Sequence, residues 1–258
     1  MVTILFHSTI FGPIHSRRLG TSLGVNLSPT DGKTCSFDCI YCEAGYNSQG
    51  TGSSGLPSRE NVREQLEDKL SAMKNAGETL DVITFSGNGE PTLHPMFPSI
   101  IDDTITLRDK YFPEVKISVL SNSTRLGDEN VRNALMKVDN NILKLDSAIT
   151  GTMRKIDQPA SAAFSSEKVI GQIALFGNRC IVQTMMLRGY HNGNRIDNTT
   201  DIETDALLNA YRLINPREVM LYSIDRKTPE ESLEKISREE LETIANRFRN
   251  AGIKVQVN

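Results

Sequence analysis

Strand and helix signals alternate along this chain, and that alternation limits its possible folds more than any other feature. Runs rich in apolar and β-branched residues stand at 23–27, 81–85, 115–119, 142–146, 180–187, 219–224 and 253–257. Between them, apolar residues recur at helical spacing. Val62, Leu66, Leu70 and Met73 share one face, with Gly77 as a stop. Pro95 opens a helix running to about residue 110, and Asp128 starts a short one through Val131 and Leu135. Val169, Ile170, Ile173, Ala174 and Phe176 line another face, as do Leu207, Leu208 and Tyr211. Ser237 and Glu240 form a capping box ahead of Leu241, Ile244 and Phe248. Six βα steps imply a parallel sheet with helices outside it. At 258 residues the chain can bury a real core, yet it is short for an eight-unit barrel. Active sites of parallel α/β folds gather at the C-terminal ends of the strands.

Charge narrows the partners. Twenty-nine Lys and Arg against 32 Asp and Glu leave a net charge of −3, which speaks against gripping nucleic acid by bulk charge; DNA is not an expected partner. No apolar run reaches the ~18 residues of a membrane span, so no membrane partner is expected. The N-terminus lacks a basic stretch followed by a cleavage site, so the expected compartment is the cytoplasm.

Three of the four cysteines, Cys35, Cys39 and Cys42, fall within eight residues, and Cys180 stands apart as a small buried hydrophobe. Clustered thiols in a reducing compartment point to a metal or an iron–sulfur centre. The C-x3-C-x2-C spacing lacks the paired knuckles of a structural zinc site, and no His lies nearby on its C-terminal side. Three thiolates on a short loop can hold three irons of a [4Fe–4S] cube and leave the fourth open.

A second feature follows the strand at 81–85, where Ser86-Gly87-Asn88-Gly89-Glu90-Pro91 turns sharply. The glycines permit close backbone approach to a ligand, and Glu90 adds a carboxylate, a combination suited to an ammonium group. The plainer reading is a Gly-Asn-Gly turn between strand and helix. Residues 43–58 are Gly- and Ser-rich and read as a loose connector rather than a lid.

CSFDCIYC together with SGNGEPT resembles the radical S-adenosylmethionine (radical SAM) superfamily. GPIHSRRLGTSLGVNLSP, KLDS and LYSIDRKTP resemble its branch of Fe–S oxidoreductases related to wyosine-type tRNA-modifying enzymes. The resemblance implies an α/β fold, a partial (β/α)6 barrel, with 1–22 as an N-terminal extension, 23–225 as the barrel core and 226–258 as a C-terminal helix and strand. It implies a [4Fe–4S] cluster on Cys35, Cys39 and Cys42, and S-adenosylmethionine (SAM) bound at its open iron. Gly87, Asn88, Gly89, Glu90 and Pro91 would hold the methionyl ammonium, with Asn88 between the glycines a variant of the usual pattern. Tyr41 would meet the adenine; Ser121, Asn122 and Asp146 would meet ribose hydroxyls or the SAM carboxylate, and Tyr222 completes the strand-end set. The implied activity is reductive cleavage of SAM to a 5′-deoxyadenosyl radical that abstracts hydrogen from a substrate, with a low-potential donor of flavodoxin or ferredoxin type. Substrate classes within it are an RNA base, a small molecule or peptide, or the glycine of a partner enzyme. A non-catalytic Fe–S electron-transfer protein would explain the cysteines but not the GNGEP turn. Arg17, Arg18 and Arg226 could clamp a substrate carboxylate or phosphate.

Overall fold

The computed structural model describes residues 4–16 and 19–258. Parallel strands β2 (Gly20–Val25), β3 (Val82–Phe85), β4 (Lys116–Ser121), β5 (Asn140–Lys144), β6 (Cys180–Met185), β9 (Glu218–Tyr222) and β11 (Val255–Val257) alternate with helices. The helices are α1 (Arg59–Asn75), α2 (Phe97–Tyr111), α3 (Glu129–Leu135), α4 (Thr150–Asp157), α5 (Ser166–Ala174), α6 (Asp201–Ile214) and α7 (Arg238–Asn250). With β1 (Ile10–Ser16) antiparallel to β2, they form one eight-stranded sheet in the order β1-β2-β3-β4-β5-β6-β9-β11. A small second sheet is built from β7 (Leu187–His191), β8 (Asn194–Asp197) and β10 (Leu233–Lys235), ordered β10-β7-β8.

Helix starts follow side-chain chemistry. Ser58, Asp128, Ser165, Thr200 and Ser237 each accept a bond from a first-turn backbone N–H. Alternation along the strands then separates two environments. Leu23, Val25, Ile83, Phe85, Ile117, Val119, Leu143, Val182 and Leu221 face outward into the main core, packed on Leu66, Leu70, Phe97 and Ile100 of α1 and α2. The alternate residues Ser22, Thr84, Leu120, Ile142, Gln183 and Met220 come from six strands and line a single cavity of about 250 Å³. A flat sheet could not bring β2 and β9 to one cavity; this one curls into a partial barrel whose edges, β1 and β11, do not pair. Ile142, Ile181 and Met220 plug the interior below.

Several expectations shift. Within the N-terminal stretch, residues 10–16 form β1, which pairs antiparallel with β2 at the edge of the sheet. The run at 180–187 is two strands: it breaks at Met186, and Leu187 crosses into the small sheet. Pro95 precedes the second helix, which begins at Phe97 after the 3-10 turn Pro91–Leu93. Helix α4 carries too few periodic apolar residues to announce itself, and β7, β8 and β10 are too polar to do so. The loop at 43–58 is tethered: the Asp31 carboxylate accepts N–H and O–H bonds from both Ser53 and Ser54, which hold it well below the usual carboxylate range.

Candidate active site

The cysteine loop follows β2 and is fastened on two sides by backbone bonds. On one side Thr34 N–H donates to Asn88 O (3.1 Å), and Glu90 N–H donates to Thr34 O (3.0 Å). A Cβ on Gly89 would lie 1.8 Å from Thr34 O, so this seam closes only over glycine. Gly87, at φ +142°, seats on Asn26 in the same way. The close approach made by these glycines is therefore to the cysteine loop and the end of β2. On the other side Asp38 and Ile40 donate to Asp157 O and Ile156 O at the end of α4, and Ala160 donates to Ser36 O. Phe37, Ile40 and Tyr41 anchor the loop in an apolar cluster with Ile156 and Met185.

Asn88 serves the turn itself. Its amide donates to Phe6 O and Pro29 O, and accepts from Phe6 N. Its backbone N–H goes to Asn26 Oδ1. Glu90 is buried. Its Oε1 accepts Thr92 N, Thr92 Oγ1 and Ser121 Oγ, and its Oε2 accepts Asn122 N at 2.6 Å. Burial raises its pKa, and these donors oppose that shift. Three donors saturate Oε1, whereas Oε2 keeps a lone pair for a further donor. Pro91 opens the 3-10 turn that Glu90 caps. Asn122 donates to Ser36 Oγ (3.0 Å) and stands 3.5 Å from Cys35 Sγ. Ser123 holds the left-handed conformation (φ +69°) that ends the strand there.

A buried polar web lies behind Cys39. Lys144, the last residue of β5, and Asp146, two residues beyond it, meet Tyr41 from the cysteine loop and Asp157 from α4. The Tyr41 hydroxyl bonds to Asp146 Oδ2 and to Lys144 Nζ. Asp146 Oδ1 accepts Met185 N (2.9 Å). Lys144 Nζ is 3.4 Å from Cys39 Sγ, and the Cys39 thiol is 3.4 Å from Asp157 Oδ1. Tyr222 joins through electrostatic coupling to Tyr41 and Lys144. Sequence reasoning named Tyr41, Asp146 and Tyr222 but missed Lys144, Asp157 and Lys33. Lys144 was findable, since strand alternation places it on the face of Asp146; Asp157 carried no signal.

The donor set fits an anionic cluster. Burial pushes the Cys35 thiol up to about 11, and Cys39 well above its ordinary value. Two lysines nevertheless flank them, Lys33 buried and Lys144 partly buried. Lys33, 2% exposed, bonds to Gly45 O and pairs with Asp38, and all three cysteines act on it electrostatically. Both lysines are also met by carboxylates, Lys33 by Asp38 and Lys144 by Asp146 and Asp157, and beside three thiolates they would offset the added negative charge. Among the described residues no three His, Cys, Asp or Glu converge as on a single metal ion. A cube gives each thiolate its own iron and does not require that convergence.

Two cavities open beside this loop. One, about 280 Å³, is walled by Tyr41, Met185, Tyr222, Ser223 and Ile224. The other is the barrel interior. Arg226 and Glu43 form an ion pair (2.6 Å) that borders both. Arg226 thus reaches the site with its charge already matched, and Arg17 and Arg18 lie outside the described residues. Cys180 is buried and donates to Gly177 O. His94 bridges Pro57 O and Met96 N, a structural role.

The Radical SAM superfamily profile matches residues 30–142. The chain is 32% identical to a UPF0026 protein of Synechocystis over 226 residues, 85% of this chain and 77% of that protein. It is 29% identical over 252 residues to a Brachyspira hyodysenteriae protein named GTPase Obg, covering 96% of this chain but only 35% of that protein. Leu27 stands where the first glycine of a G-x4-G-K-T phosphate loop would precede Gly32-Lys33-Thr34. Among solved structures, a radical SAM methyltransferase from Sphaerobacter thermophilus aligns at TM-score 0.67 and 15% identity, over 92% of this chain and 65% of that one. Streptococcus suis SuiB bound to S-adenosylmethionine aligns at 0.64 and 12%, over 91% and 49%. TYW1 with a lysine-pyruvate adduct aligns at 0.60 and 14%, over 90% and 75%. At these identities the solved structures speak to fold alone.

Proposed function

This chain belongs to the radical SAM superfamily and is one of the UPF0026 proteins, and on that premise we propose that it is an enzyme that cleaves SAM reductively to act on a substrate held in its barrel. One observation carries the reading: a loop of three thiols, flanked by the ammonium groups of Lys33 and Lys144, is laced by backbone to a turn with a buried glutamate, beside the cavity of the barrel. Cys35, Cys39 and Cys42 would hold a [4Fe–4S] cluster. The reduced cluster would supply one electron to SAM, which would then part into methionine and a 5′-deoxyadenosyl radical able to take a hydrogen atom from the substrate.

The chain's own groups have defined tasks. Glu90 Oε2, with its spare lone pair, accepts the methionyl ammonium, and the backbone of 87–91 shapes that end of the site. Ser121 and Asn122 keep Glu90 in place. Asn122 also steadies Ser36, and through it the cysteine loop. The cavity beside Tyr41, Met185 and Tyr222 takes the adenosine moiety, and Asp146 orients the Tyr41 ring through its hydroxyl. The barrel cavity, lined by Ser22, Thr84 and Gln183 together with Ile142 and Met220, excludes bulk water and takes a group the size of one ring. That size supports a small molecule or a single extruded RNA base as substrate. The electron donor is of flavodoxin or ferredoxin type, and the compartment is the reducing cytoplasm.

The test is anaerobic. Reconstituted protein, given SAM and dithionite, is expected to release 5′-deoxyadenosine, and Cys39→Ala is expected to lose both iron and this product. Product formation by iron-free Cys39→Ala, or none from iron-loaded wild type, overturns the reading. Added bulk tRNA sorts the substrate classes, because stimulation above the uncoupled rate is expected only for an RNA base.

A further inference from the structure

We infer that Lys144 sets how readily the cluster accepts an electron, by holding an ammonium against the sulfur of Cys39. The inference rests on the proposed cluster, but its evidence is the chain's own geometry. Lys144 is not an ordinary salt-bridge lysine. Its Nζ is 3.4 Å from Asp146 Oδ2 and 3.6 Å from Asp157 Oδ1, whereas charge-assisted N–H···O bonds close to about 2.7–2.9 Å. Asp146 has spent its oxygens elsewhere, Oδ2 on the Tyr41 hydroxyl and Oδ1 on Met185 N. Asp157 Oδ1 faces the Cys39 thiol. The ammonium is therefore held between two carboxylates and docked on neither. Its close neighbours are the Tyr41 oxygen, the Tyr41 ring (4.5 Å to the centroid) and Cys39 Sγ (3.4 Å).

The position of Lys144 is fixed by packing. Its side chain is 18% exposed, rises from the inward face of β5, and is hemmed in by the loop that carries Tyr41. When a metal centre takes Cys39, the thiol proton leaves and Asp157 loses that donor. Lys144 then remains as the cationic donor on this sulfur. A fixed positive charge and an N–H bond at a ligand sulfur favour the more negative, reduced form of the cluster, and so raise its potential. Asp146, through Tyr41, acts as the positioning group that keeps the ammonium at the sulfur.

The experiment is an EPR-monitored redox titration of reconstituted protein without SAM, comparing wild type, Lys144→Met and Lys144→Arg, with iron content and melting temperature as controls. Lys144→Met should make reduction at least tenfold less favourable, a shift of about 59 mV to more negative potential for a one-electron couple. Lys144→Arg, which keeps a cation and N–H donors, should stay within about threefold of wild type. Should Lys144→Met fail to fold for want of a partner to Asp146, Lys144→Gln, which keeps N–H donors but carries no charge, should shift the same way. A wild-type potential in whichever of these two variants folds overturns the inference and leaves Lys144 a structural counter-ion. Absence of any cluster in wild type would instead overturn the functional reading beneath it.

Discussion

Substituting Gly89 with alanine tests the seam between the two motifs directly. The added methyl carbon would lie 1.8 Å from the Thr34 carbonyl oxygen and 2.7 Å from Ser28 Oγ. The first of these is backbone and cannot swing away, so the cysteine loop must lift from the turn. Lifting it breaks Thr34 N–H to Asn88 O and Glu90 N–H to Thr34 O. Each such bond is worth a net of about 0.5–1.5 kcal/mol, so the pair contributes roughly 1–3 kcal/mol. For a chain of this size each kcal/mol moves the melting temperature by about 2–4 °C. The same loss should appear in ligand binding as a roughly 5- to 150-fold rise in the Kd for SAM, because the turn and the cysteine loop no longer share a frame. Circular dichroism melts of the metal-free protein read the first effect; iron and sulfide content with equilibrium dialysis of SAM read the second. A Gly89→Ala protein with wild-type melting temperature, full iron content and unchanged SAM affinity would refute the claim that backbone contact at this glycine couples the motifs.

Three further outcomes follow from individual contacts. Glu90→Gln keeps the size of the side chain but turns an NH2 toward groups that now donate to it, so it should lower stability by about 1–3 kcal/mol in urea melts and weaken SAM binding; an unchanged melt would mean these bonds do not hold the turn. Gly171→Ala, in α5 with nothing within 4 Å of the new methyl group, should stabilise the chain by about 0.4–1 kcal/mol with iron content unchanged; destabilisation would show hidden crowding. The Arg59 guanidinium grips Asp103 with two bonds (2.6 and 2.8 Å) and holds its carboxyl below the usual range. A lowered folded-state pKa contributes stability above the unfolded value, near pH 3.8, and loses it as pH falls through the folded one. Asp103→Asn should therefore cost about 0.5–1 kcal/mol at pH 7 and progressively less below pH 4; a constant gap between the two proteins across that range would contradict the assignment.

How much of this was readable in advance depends on the range of the interactions. The periodicities that named the parallel strands are local, as are the caps at Asp128 and Ser237, and the structure keeps them. The metal-ligand candidates were equally legible, because three thiols within eight residues must share a loop wherever that loop goes. The sequence offers the glycines of the turn as room for a ligand, and in the fold they also make room for Thr34 and Asn26. The small sheet carries little sequence signal because its strands, LRGYH, NRID and LEK, are mostly polar and poor in β-branched residues.

By itself, then, the order of residues determined the alternation of strand and helix, the thiol trio, and the carboxylate at the turn, since each is written within one turn or one strand. Only the tertiary structure decided that Lys144 and Asp157 meet at Cys39, from 105 and 118 residues away. It also decided that Glu90 has one oxygen filled and one with a vacant lone pair, and that Arg226 arrives already paired with Glu43. Those are consequences of how far the sheet curls and which strand ends it brings face to face, and no local pattern encodes that curvature.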